Sequence, residues 1–203
     1  EGNGAPAVDF SGVTEVLQWC VDNGVQMRGH TLVWHSQTPE WFFHEDYDAS
    51  KDYVGIEEMN QRLEWYIATV LQHFTGEDSP YHGMFYGWDV VNEAVSDQGK
   101  KYRTDAENPN EPLSQATHGN NSSWWHVYQS NEYIINAFRY ANKYAPAELE
   151  LYYNDYNEFN LSKKNGIIQL INDVKAAEGT RLDGFGMQGH YSLNAPDASV
   201  LGG

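Results

Sequence analysis

An amide and a carboxylic acid stand side by side at Asn92 and Glu93, directly after the β-prone, apolar run Trp88-Asp89-Val90-Val91. A buried strand that ends abruptly in two polar groups has the look of a barrel strand meeting the mouth of an active site. Three other segments end the same way: one at His30 and beyond, one at Asn154-Asp155-Tyr156, one at Gln188-Gly189-His190. Any single cluster is explained by satisfied structural polar groups, and for a lone histidine that is the default. Four in succession, at corresponding positions of four strand–helix units, are much harder to explain as packing.

The available groups limit the chemistry. His30, His35 and His190 could converge on a metal, yet no His-x-x-x-His pair or similar ligand spacing accompanies them. Acyl transfer by a serine triad lacks its Gly-x-Ser-x-Gly elbow. Hydrolysis of a glycosidic acetal needs two flanking carboxyl groups, and Glu93 is well placed as the first. The second is not evident.

The elements that must position these groups alternate along the chain. Residues 11–23 read as a helix and 25–34 as a strand. Residues 56–74 form the clearest helix, with Met59, Leu63, Tyr66, Ile67, Val70, Leu71 and Phe74 at three- and four-residue intervals. A strand over 84–91, a helix over 131–144, a strand over 149–153, a helix over 162–178 and a strand over 182–188 follow. Such alternation predicts parallel strands with crossover helices. An open doubly wound sheet usually shows a glycine-rich phosphate loop after its first strand, whereas this chain has Trp34-His35-Ser36-Gln37-Thr38-Pro39 there. A (β/α)8 barrel is the better reading. Residues 97–130 interrupt the rhythm with a long polar connection ending in Trp124-Trp125. Either it extends a binding cleft, with one Trp as a sugar platform, or it is decoration that folds both rings onto the helices.

Composition narrows the partners. Twelve Lys and Arg against twenty-nine Asp and Glu give a net charge of −17. That argues against a nucleic-acid backbone or an anionic membrane surface, and leaves a neutral polymer indifferent. Seven Trp, fourteen Tyr and eight Phe supply faces that stack on sugar rings, although most such rings fill cores. One cysteine, Cys20, rules out an intrachain disulfide or a thiolate zinc site, and its helical neighbours predict a buried thiol. No stretch approaches the roughly 20 apolar residues of a membrane span. The chain opens at Glu1 rather than Met, so an N-terminal segment is expected to have been removed.

Four motifs together resemble glycoside hydrolase family 10, the endo-1,4-β-xylanases: Gly29-His30-Thr31-Leu32-Val33-Trp34-His35-Ser36-Gln37-Thr38-Pro39, Trp88-Asp89-Val90-Val91-Asn92-Glu93, Asn154-Asp155-Tyr156-Asn157 and Gly186-Met187-Gln188-Gly189-His190. Their order and spacing are similar to the third to sixth strands of that family's barrel, over nearly the whole of residues 1–203. The resemblance implies retaining hydrolysis of the xylan backbone by double displacement, without a cofactor or metal, by a secreted protein. It implies Glu93 as general acid/base and Asn92 as the partner of the 2-hydroxyl of the sugar being cleaved. His30, Trp34 and Gln37 would wall the glycone side, with Trp34 stacking on a sugar. Tyr156 would be an aglycone platform, and Gln188 and His190 would stand near the nucleophile. Asp89 would be a buried supporting carboxylate.

The family's nucleophilic glutamate belongs on a seventh strand. Here no glutamate follows Glu178, and Asp197 is the sole carboxylate after His190. The family's Asn-Glu-x-Lys element on the second strand is also missing. The chain therefore reads as a partial barrel of four strand–helix units, from a longer gene or interrupted by an inserted module such as a carbohydrate-binding one. The isolated chain is expected not to turn over xylan. Two alternatives stay open: a non-catalytic xylan-binding remnant, or a related β-glycanase acting on glucan or mannan.

Overall fold

The computed structural model describes residues 5–98, 101–113 and 119–201. Parts of the 97–130 connection, residues 99–100 and 114–118, lie outside the described residues.

The helix–strand rhythm folds as expected. After a 3-10 turn, helix α1 (Thr14–Asn23) leads to strand β1 (Met27–Trp34), and α2 (Ile56–Thr75) leads to β2 (Phe85–Asn92). The long connection then contains a short helix, α3 (Ser123–Tyr128), before α4 (Glu132–Tyr144) and β3 (Glu150–Asp155). Helix α5 (Leu161–Ala176), β4 (Gly184–Met187) and the short α6 (Ala198–Leu201) complete the described residues. All three strand pairings are parallel, in the order β1-β2-β3-β4. Sequential parallel strands joined by helices form the repeating unit of a (β/α) barrel.

The long connection is more structured than its composition predicts. Ser122 caps α3 by accepting a hydrogen bond from the Trp125 amide at 3.1 Å. Trp124 is then buried: its ring stacks on Tyr133, meets Phe43 edge-on, and its Nε1 donates to the Trp34 carbonyl at 3.1 Å. Trp125 lies along Tyr102. Both tryptophans thus pack on the protein, Trp124 buried and Trp125 half-buried, with Trp124 also bordering a cleft beside Trp34.

The core lies between the sheet and the helices. Met59, Leu63, Ile67 and Leu71 of α2 and Ile134, Ala137, Phe138 and Ala141 of α4 are sealed against Val90, Val91, Leu151 and Tyr153 of the strands. A register shift between Asp89 and Val91 breaks the simple alternation of β2, and Asp89 pairs with Arg28 of β1 while Asn92 pairs with Asn154 of β3. Helix α1 buries only Leu17 and Cys20, leaving Val16 and Trp19 exposed, and the Cys20 thiol meets the Met27 sulfur at 3.4 Å. Among the described residues no helix is long and apolar enough to cross a membrane.

Candidate active site

The strand ends share one rung. Trp34 of β1 is in register with Asn92 of β2, Asn92 with Asn154 of β3, and Asn154 with Gly186 of β4. Glycine suits the last place, because a Cβ there would meet the Asn154 Oδ1 and the Arg28 guanidinium and force those side chains to shift. Amides link the rung: Asn154 Nδ2 donates to Asn92 Oδ1 at 2.9 Å, and Gln188 Nε2 approaches the same oxygen at 3.2 Å. Asn92 and Asn154 are buried, so these bonds satisfy groups that would otherwise be costly to desolvate.

Glu93 follows immediately, with φ of 56°, in the left-handed region that few non-glycine residues adopt. Its carboxyl is held by two donors, one at the end of β1 and one just past the end of β4. Trp34 Nε1 reaches Oε2 at 2.9 Å and Gln188 Nε2 reaches Oε1 at 2.8 Å. His190, exposed, sets Gln188 in turn through a 2.9 Å bond between its Nε2 and Gln188 Oε1. Trp34, Asn92, Glu93, Gln188 and His190 thus form one connected group. His30 stands beside it, ring edge toward Trp34 at 6.2 Å, with Nδ1 bonded to Asp89 Oδ2 at 2.9 Å. Asp89 is buried, and Arg28 pairs with its other oxygen. Gln37 is exposed and shares with His30 and Trp34 a cleft of about 430 Å³ that also runs along Asp9, Trp65 and Tyr66 and is not lined by Asn92, Glu93 or Gln188. Tyr156 is set apart from the carboxyl: its hydroxyl donates to Asp97 and meets Arg103 Nη2 at 3.3 Å. Lys163 Nζ sits 4.4 Å from the Tyr156 ring centre. The hydroxyl's proton is held more tightly than an ordinary tyrosine's, through burial and then through Asp97.

Sequence reasoning missed what lies under this rim. Arg103 and Lys163 are both buried cations. Asp97 bridges them, at 3.1 Å from Arg103 Nη2 and 2.8 Å from Lys163 Nζ, and Asp155 lies 3.0 Å from Lys163. Burial works against ionisation of Asp97, but the hydrogen bonds from Lys163 and Tyr156 and the two cations outweigh it and hold the carboxyl below its usual range. Asp155 goes the other way, since its burial prevails over Lys163 and the carboxyl is pushed up. His35 faces the same charges: burial, then Arg103 and Lys163, push its imidazole down to about 2, so it is neutral. One signal for Lys163 was present in the sequence. It occupies the buried stripe of α5 with Gly166, Ile167, Leu170 and Val174, where a lysine needs a partner.

Residues 2–201 match the family model for glycosyl hydrolase family 10. The chain belongs to glycosyl hydrolase family 10. It is 42% identical over 195 residues to a putative endo-1,4-beta-xylanase of Caldicellulosiruptor saccharolyticus, covering 96% of this chain and 55% of that protein. It is 38% identical to a bifunctional endo-1,4-beta-xylanase of Ruminococcus flavefaciens, covering 95% of this chain and 18% of that protein. Among solved structures it is similar to a family 10 protein from Paenibacillus barcinonensis, with a TM-score of 0.79 and 32% identity over 96% of this chain and 51% of that one. A second is an N-terminal endo-1,4-beta-D-xylanase 10B from Clostridium thermocellum, solved as CBM22-1–GH10 modules complexed with xylohexaose. That likeness has a TM-score of 0.75 and 38% identity, covering 88% of this chain and 33% of that one. The chain spans 55% of the length of the first of these relatives and less of the second. Its four parallel strands and their helices accordingly make up a portion of the family's (β/α)8 barrel.

Proposed function

We propose that this chain supplies the general acid/base half of an endo-1,4-β-xylanase site, with Glu93 as the reacting carboxyl. The observation that carries this reading is the Glu93 carboxyl itself, just past the end of β2 and bonded there by Trp34, which ends β1, and Gln188, which follows β4. In retaining hydrolysis such a group protonates the leaving oxygen, then takes a proton from the incoming water, while a second carboxylate about 5–5.5 Å away attacks the sugar. The neighbours that bond the Glu93 carboxyl are hydrogen donors, so the nucleophile comes from outside this group. Asn92 would bond the 2-hydroxyl, and His30, Trp34 and Gln37 would line the glycone side along the cleft they share. Tyr156 would meet the aglycone, while Gln188, oriented by His190, would sit beside the nucleophile. Residues 1–203 form one partial catalytic barrel on this reading, and the protein works outside the cell on a neutral polymer that its negative charge does not repel.

The test is reducing-sugar release by the whole protein from xylan, β-glucan and mannan, with and without Glu93→Gln. The xylanase reading expects preference for xylan and a loss of roughly 10²–10⁴-fold in the variant, the usual size of a general acid–base contribution. Rates near wild type in Glu93→Gln would remove this residue from its role. Xylohexaose binding without hydrolysis by the whole protein would point instead to a non-catalytic xylan-binding module.

A further inference from the structure

We propose that Arg103 is a positioning residue for Glu93, held in place by a buried counter-charge that it shares with Lys163. The proposal rests on the reading of Glu93 as the reacting carboxyl and names what keeps that carboxyl aimed.

The turn after β2 is where the backbone must depart from the strand, and Glu93 takes the left-handed conformation there. Such a residue persists only when its surroundings over-determine it. Here the polar backbone groups of the turn are matched. The Glu93 amide donates to the Asn154 carbonyl at 2.9 Å, and the Ala94 and Val95 amides donate to the Tyr153 hydroxyl at 3.0 and 3.2 Å. The Ala94 carbonyl accepts from the Arg103 amide at 2.8 Å, and the Val95 carbonyl accepts from Lys163 Nζ at 2.7 Å. The Glu93 carbonyl accepts from Arg103 Nε at 2.9 Å.

The last contact links the guanidinium to the reacting residue's own backbone. Nη1 of Arg103 donates to the Asn120 carbonyl at 3.2 Å, and Nη2 to Asp97 and the Tyr156 hydroxyl. A guanidinium is a rigid planar fork, so fixing its two ends fixes Nε. Arg103 is 1% exposed and Lys163 3% exposed, and water does not compete for these donors. Rotation about the Glu93 backbone would carry its carboxyl away from Trp34 Nε1 and Gln188 Nε2 together. An arginine that merely stapled the loop could bond any carbonyl in it, whereas this one bonds the carbonyl of the residue whose direction decides the chemistry.

The Trp34 indole reports that direction. In the 203-residue chain labelled with 15N-tryptophan, the Trp34 Nε1–H resonance, assigned by its displacement in Glu93→Gln, should move as the Glu93 carboxyl titrates. In Arg103→Met, and in Arg103→Lys should the first fail to fold, that resonance is expected to lose its pH-dependent movement while those of Trp19 and Trp65 stay in place. An unchanged Trp34 titration in a folded Arg103 variant overturns the proposal. So does a collective shift of every tryptophan in both variants, which would make Arg103 a general fold determinant. Failure of the xylanase reading shows elsewhere, as undiminished hydrolysis in Glu93→Gln of the whole protein, and leaves the indole result standing.

Discussion

Trp34 and Glu93, 59 residues apart in sequence, meet through a 2.9 Å bond from the indole nitrogen to one carboxyl oxygen. The Trp34 carbonyl is at the same time tied to the buried Trp124 indole and to the Thr38 hydroxyl. One tryptophan therefore borders the cleft, bonds a carboxyl through its indole nitrogen, and is itself fixed through its carbonyl.

Trp34→Phe keeps the aromatic face and deletes the donor. A typical hydrogen bond contributes about 0.5–1.5 kcal/mol, which converts to roughly 2–10-fold. Turnover of xylo-oligosaccharides by the whole protein is expected to drop by that factor. An unchanged kcat/KM would show that the indole nitrogen does not orient Glu93.

Trp124→Ala is expected to act through stability. The ring is 2% exposed and packs against Phe43 and Tyr133, so its removal should cost about 3–5 kcal/mol. Urea unfolding measures this. A loss under 1 kcal/mol together with weakened sugar binding would return Trp124 to the role of a platform.

His35 predicts a pH dependence. Its imidazole is pushed down to about 2 from 6.5, so below pH 6.5 the unfolded chain takes up a proton that the folded chain refuses. The associated stability is fully present above pH 6.5 and declines as pH falls, by up to about 1.4 kcal/mol per unit. Denaturation of His35→Gln at pH 7 and pH 5 should show a shallower decline than wild type. Parallel declines would place the acid sensitivity elsewhere.

Lys163→Met leaves Asp97 and Asp155 without their shared cation. Breaking a buried ion pair from one side costs about 3–5 kcal/mol. The loss should be largest at pH 7 and shrink toward pH 4, since Asp97 keeps Arg103 as a partner and protonation of Asp155, whose carboxyl burial already pushes up, removes the stranded charge. A pH-independent loss would mean that packing of the lysine stem, rather than its charge, matters there.

Much of this arrangement was legible in the sequence, and the reasons are physical. Apolar residues spaced for α2 and α4, and uninterrupted β-prone runs ending in polar groups, reveal elements because each repeats one geometric period. The observed β2 and β3 run one to two residues further than the patterning marks, to Asn92 and Asp155, since the rung of amides continues the pairing past the last apolar side chain. Arg103 was not legible: it sits in a polar connection where a charge normally faces water, and the Glu93 carbonyl it serves leaves no mark in side-chain pattern. Trp124 was ambiguous because an indole is equally suited to a sugar or a core. Only the Ser122 cap and the ring of Tyr133 decide between them.

Gly186 has a further consequence. Three neighbouring strands each contribute a side chain at one level, Trp34, Asn92 and Asn154, and the fourth contributes a glycine whose Cβ would displace Asn154 and Arg28. The alignment of the strands and the aim of the chemical groups are therefore the same geometric quantity. Evolution should find it hard to change one of these four positions singly, and replacements there are expected to appear among relatives as matched sets.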